Sequence, residues 1–278
     1  MLLSIVSPYL PGLTWNMSEP LRDLSAVAWD RRMAALATVS VIALVGVWAY
    51  GPVPQWQDYH RFADLRAAFG IANASNVLTN LAFLGVGCYG LATCWRGPPT
   101  GALPELLACY RSYFAGTALV ALGSAYYHLA PDDARLVWDR LPMTIGFMAL
   151  ICVVIGEQVD RRLGRRMLWP ALITGVASVF YWSWTESQGA GDLRAYALVQ
   201  FLPLLLIPMM LAMYRSPFGT VRHYLWLIGL YLLAKFTEFG DAALLAWIGI
   251  SGHSLKHLLA AAAAAAMIVA LRRRRMAT

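Results

Sequence analysis

Ser124, His128 and Asp139 stand in the stretch GSAYYHLAPDDARLVWDRLPM, and His253 and His257 stand in SGHSLKH. Ser124 and His128 are four residues apart, as are His253 and His257. Helical residues at that spacing share a face, with about 5–6 Å between their Cβ atoms, so each pair can converge on one point. Three neutral imidazoles around an ion with an open fourth position make a catalytic zinc site, whose bound water is acidified to a pKa of about 7. A carboxylate such as Asp139 can orient that water and take its proton, and a hydroxyl such as Ser124 can donate to a developing oxyanion. Each residue also has a plainer reading. A histidine at a helix end can serve only as an interfacial residue, Ser124 can bond back to its own helix, and Asp139 can cap a helix or pair with Arg140.

Composition says what must hold these residues. With 59% hydrophobic residues, 13% charged residues and 11 Trp in 278 residues, the chain cannot be a soluble domain with an ordinary surface. A membrane-spanning helix needs about 20 mostly apolar residues, and eight runs qualify: 33–50, 73–95, 109–129, 135–157, 168–185, 193–214, 222–248 and 253–271. They are far longer than the ~10 alternating residues of a barrel strand. The expected fold is therefore all-α, a polytopic membrane helix bundle. Residues 1–54 form an N-terminal segment with an extra transmembrane helix, 55–271 a seven-helix core, and 272–278 a basic cytoplasmic tail.

The basic residues orient the bundle. Fifteen of the 22 Lys and Arg fall before the first span, in alternate connections and in the tail; four fall in the opposite connections; Arg140, Lys235 and Lys256 fall inside spans. By the positive-inside rule both termini face the cytoplasm, and the expected location is a bacterial inner membrane. The net charge of +7 follows from this asymmetry and implies no nucleic-acid partner. Alternating spans then bring Ser124, His128, Asp139, His253 and His257 to one depth near the outer leaflet. No cleavable signal peptide is evident in residues 1–32. Cys88, Cys94, Cys109 and Cys152 show no CxxC spacing and read as packing residues.

With these residues in view, GSAYYHLAPDDARLVWDRLPM resembles the alkaline ceramidase family. Its pattern is a Ser, three residues, a His, then an Asp eleven residues later, one further residue and Leu-Pro-Met, matched here by Ser124, His128, Asp139 and Leu141-Pro142-Met143. SNVLTNLAFL from Ser75 is similar to the start of the family's first core helix, and HSLKH to its last-helix HxxxH. The likeness covers roughly residues 55–271 and leaves the first helix as an extra. The resemblance implies that His128, His253 and His257 hold Zn2+, that Ser124 stabilises the oxyanion and that Asp139 serves the attacking water. It also implies a ceramide-like membrane lipid as substrate, cleaved at its amide to a sphingoid base and a fatty acid. The wider superfamily carries the same five residues in adiponectin-receptor-like proteins and other lipid-remodelling hydrolases. One departure concerns calcium. The family's acidic calcium site precedes the first core helix, whereas PQWQDYHRFADLRAAFGIANASN offers only Asp58 and Asp64, with Phe69 six residues before Ser75, which argues against that ion.

Other polar residues in the spans carry lesser expectations. Lys235 and Glu238 read as a structural ion pair, with Asp241 three residues on. Asn73, Ser75, Asn76, Thr79 and Asn80 read as bonds between helices or as supports for the metal ligands. His223 reads as an interfacial bystander, and His60 stays open. Among other classes of function, a serine hydrolase with one histidine base leaves two histidines and Asp139 without work. An iron site fits three histidines less well. A transporter would show matched inverted repeats, and none is evident. A receptor-like reading remains within the superfamily.

Overall fold

A computed structural model describes residues 30–277. Arg22 and most of the segment read as an uncleaved N-terminus lie outside the described residues. Each apolar run forms helix: α1 (Arg31–Tyr50), α2 (Ala74–Leu78), α3 (Leu81–Trp95), α4 (Leu107–Leu129), α5 (Asp133–Gln158), α6 (Arg161–Ser187), α7 (Arg194–Met213), α8 (Arg222–Phe239), α9 (Asp241–Ile248) and α10 (Gly252–Arg273). Among the described residues there is no strand beyond an isolated bridge between Ala68 and Ile71. Side-chain oxygens of Asp30, Asp132, Asp160 and Ser251 accept from the first free amides of α1, α5, α6 and α10, satisfying donors that a helix start leaves orphaned.

Among the described residues, six helical segments are long and apolar enough to cross a membrane, two fewer than the eight expected. The differences have sequence causes. α6 starts seven residues before its apolar run and carries Arg161, Arg162, Arg165 and Arg166. The run 222–248 breaks at Gly240 into α8 and α9. The run 73–95 is interrupted at Thr79 and Asn80 between α2 and α3 but still makes one span, Ala74–Trp95.

Helices α3 to α7 pack each on the next, α5 also meets α7, and α10 lies between α3 and α8. α7 and α8 do not form a comparable packed pair; across that seam Gln200 Nε2 donates to Tyr231 Oη at 3.0 Å. The extra helix α1 lies outside, on α7. Arg32 donates to the Met213 carbonyl at 2.9 Å at one end, and Arg194 donates to the Trp48 carbonyl at 3.0 Å at the other. α1 contributes no buried residue, as expected of a helix facing lipid.

Because successive helices alternate in direction, two apolar clusters mark the two ends. One joins Cys94, Leu106, Phe114, Val153, Met210 and Leu271; the other joins Phe62, Tyr127, Leu136, Val179, Trp182 and Tyr196. At the first end Arg274 turns inward from the basic tail. Its guanidinium grips the Glu157 carboxylate with both terminal nitrogens and lies 2.8 Å from His223 Nε2. Tyr110 and Tyr224 also donate to Glu157. His223, expected as a bystander at the interface, is instead buried in this network.

Candidate metal centre and its cavity

The second end of the bundle holds the residues singled out above. α4 delivers Ser124 and His128 in its last two turns, α5 delivers Asp139 in its second turn, and α10 delivers His253 and His257 in its first two. Two glycines let these helices approach. A Cβ on Gly123 would lie 2.0 Å from the Trp138 carbonyl oxygen. That carbonyl is the one left without a helical donor by Pro142 four residues on, so the Leu-Pro-Met turn of α5 and Gly123 of α4 fit each other. A Cβ on Gly252 would lie 1.9 Å from the Thr237 carbonyl oxygen, which brings the start of α10 against the end of α8.

His128, His253 and His257 are all buried, and their ligand-capable nitrogens lie within 4.8 Å of one another. The Nε2 atoms of His128 and His253 are 3.2 Å apart. Two ligands on a tetrahedral ion with Zn–N bonds of ~2.0–2.1 Å would stand roughly 3.3 Å apart, so the residues fit such an ion. Two of the three outer nitrogens have polar neighbours, while His128 Nδ1 is buried without one. His257 Nδ1 lies 3.0 Å from Thr79 Oγ1, which leaves Nε2 to face the centre. His253 Nδ1 lies 3.3 Å from Lys256 Nζ and 3.8 Å from a Glu238 carboxylate oxygen. Asn73 donates to the backbone carbonyl of His128 at 2.8 Å. The phenyl ring of Phe62 lies 4.7 Å from the His128 ring and 4.4 Å from the His253 ring, covering the triad from the 51–73 segment.

Ser124 and Asp139 are buried and line the same cavity as the triad. Arg140 forms no ion pair with Asp139; it turns to Gln55. The expected Lys235–Glu238 pair is present at 3.0 Å, and Lys256 joins it at 2.6 Å. Asp241 belongs to neither lysine. One carboxylate oxygen accepts from the His253 amide at 2.8 Å and the other from the Ala63 amide at 2.8 Å, so it ties the covering segment to the start of α10. Asn76 ties α2 to α10 in the same way, accepting from Ser254 Oγ at 2.9 Å. His60, left open by the sequence, bonds Tyr127 Oη at 2.9 Å and Asp133 at 3.1 Å, away from the triad. Asp58 and Asp64 are engaged by Arg61 and Arg66; hydrogen bonds from Arg66 hold the Asp64 carboxyl below its ordinary range.

These groups line one end of a cavity of about 440 Å³ that runs down among α4, α5, α7, α8 and α10. Its deep walls are apolar, with Phe147, Leu150, Leu227 and Ala264. A polar end with three imidazoles, a hydroxyl and a carboxylate, joined to an apolar shaft, suits a lipid with its reactive group at the polar end. Sequence reasoning missed Phe62, since one aromatic in an outer segment carries no local signal.

Comparison with curated proteins and comparison with solved structures gave no match. Residues 64–278 match the family described as Ceramidase. Because that match spans most of the chain, the chain belongs to the ceramidase family, membrane enzymes that hydrolyse the amide of ceramide.

Proposed function

We propose that the chain hydrolyses the amide of a ceramide-like lipid with a water activated at a zinc ion held by His128, His253 and His257. The observation that carries this reading is the convergence of the three buried imidazoles, with Ser124 and Asp139, at one end of a cavity whose other walls are apolar. Zinc at this position would polarise the carbonyl and acidify the water. Asp139 takes the proton of the attacking water and passes it to the leaving amine nitrogen as the C–N bond breaks. Ser124 donates to the carbonyl oxygen as it gains charge. Thr79 orients His257, and Phe62 keeps bulk water off the triad. The loosely joined α7–α8 seam gives the acyl chains a lateral way in from the bilayer.

The asymmetry of basic residues supports a topology with both termini in the cytoplasm and the centre near the outer leaflet of a bacterial inner membrane. The reaction is tested by giving the purified protein a ceramide in heavy-oxygen water. The expected products are a free sphingoid base and a fatty acid carrying one heavy oxygen. An acyl group trapped on Ser124 would contradict the mechanism.

A further inference from the structure

Three cationic side chains line the cavity: Arg140, Lys235 and Lys256. Both lysines are ion-paired with the one Glu238 carboxylate. Arg140 is different. It is only 5% exposed, its Nη2 donates to the Gln55 side-chain oxygen at 2.6 Å, and its Nη1 is buried with no partner. Its guanidinium carbon lies 4.1 Å from the centre of the Trp182 ring and 4.8 Å from that of Tyr196. These rings hold the planar fork in place and strip it of water, but they supply no oxygen acceptor for Nη1. A buried cation with a free donor is unfavourable unless a water or a ligand oxygen completes it.

The geometry points to Arg140 as an anchor for an oxyanion on the head of the substrate, so that the preferred lipid is an N-acyl lipid with an acidic headgroup. This rests on the amide-hydrolase reading above and narrows its substrate. Position supports it. Arg140 follows Asp139 directly and sits on the side covered by Gln55 and Tyr59, whereas the apolar shaft begins beyond it along α5 at Phe147 and Leu150. A lipid with its amide at Asp139 and its chains in the shaft presents its head to Arg140. The guanidinium fork matches phosphate, sulfonate or carboxylate oxygens better than a lone hydroxyl.

The test compares kcat/KM for ceramide phosphate and for ceramide in the native chain, Arg140→Gln and Arg140→Lys. The native chain should favour ceramide phosphate through KM. Arg140→Gln should lower its kcat/KM on the order of thirtyfold, the scale for removing one partner of a buried hydrogen-bonded charge pair, a loss several-fold greater than the loss on ceramide. Arg140→Lys, which keeps the charge without the fork, should fall between. Equal use of both lipids by the native chain, or an equal loss on both in Arg140→Gln, would overturn the proposal. Calorimetric binding of hexadecyl phosphate stands apart from hydrolysis: it should be tight in the native chain and weak in Arg140→Gln even if neither lipid is cleaved. Inorganic phosphate competing as well as hexadecyl phosphate would mean a free-anion site and would overturn the lipid-head assignment.

Discussion

At the scale of single residues, the histidines, Ser124 and Asp139 differ in what their loss should do. Asp139→Asn removes a base without touching the triad, so bound metal should persist while the rate falls by roughly 10²–10⁴; metal content and turnover measured on one preparation decide this, and loss of the metal would make Asp139 a ligand. Thr79→Val removes the hydroxyl 3.0 Å from His257 Nδ1. Partners of this kind are worth about 10–100-fold in metal affinity, so competition with a chelator should show a weakened site, restored by Thr79→Ser. The five residues of the proposed centre could be singled out in the sequence because each is costly to bury and the spans bring all to one depth, and the structure lines one cavity with them. Thr79 was legible only as one of a polar group. Arg140 was read merely as an interior charge, since nothing local says that its partners would be Gln55, Trp182 and Tyr196.

At the scale of elements, the centre depends on how closely helices approach. Gly252 faces the Thr237 carbonyl oxygen at a distance no side chain tolerates, whereas Gly229 in α8 has open space around its Cβ position. Gly252→Ala should therefore push α10 away from α8, cost about 1–3 kcal/mol and misplace His253. Gly229→Ala should do neither. Thermal unfolding in detergent, read beside activity, separates the two, and equal effects would mean that this contact does not position the triad. Hydropathy predicted the helices but not their breaks. The apolar runs continue through Thr79–Asn80 and Gly240, and these interruptions follow from tertiary contacts: Asn76 bonds to α10, and Gly252 packs under the end of α8.

At the scale of the whole molecule, hydrophobic content was enough to read an all-α membrane bundle, because no water-exposed surface could be built from this composition. Which helices touch was not readable, and neither was the weak α7–α8 seam, since both depend on side-chain fit between segments distant in sequence. The topology has a direct check. In a background with exposed Cys88 replaced by alanine, single cysteines at the exposed positions Gly189 and Arg162 should behave oppositely. A membrane-impermeant thiol reagent should reach Gly189→Cys in intact cells and Arg162→Cys only after permeabilisation; the reverse would turn the centre inward. The central claim, that three histidines form a metal centre that runs the hydrolysis, is met most directly by elemental analysis of the purified protein. About one zinc per chain is expected, lost with activity in His128→Ala, His253→Ala and His257→Ala and kept in His60→Ala. Full activity in protein that holds no metal would contradict it.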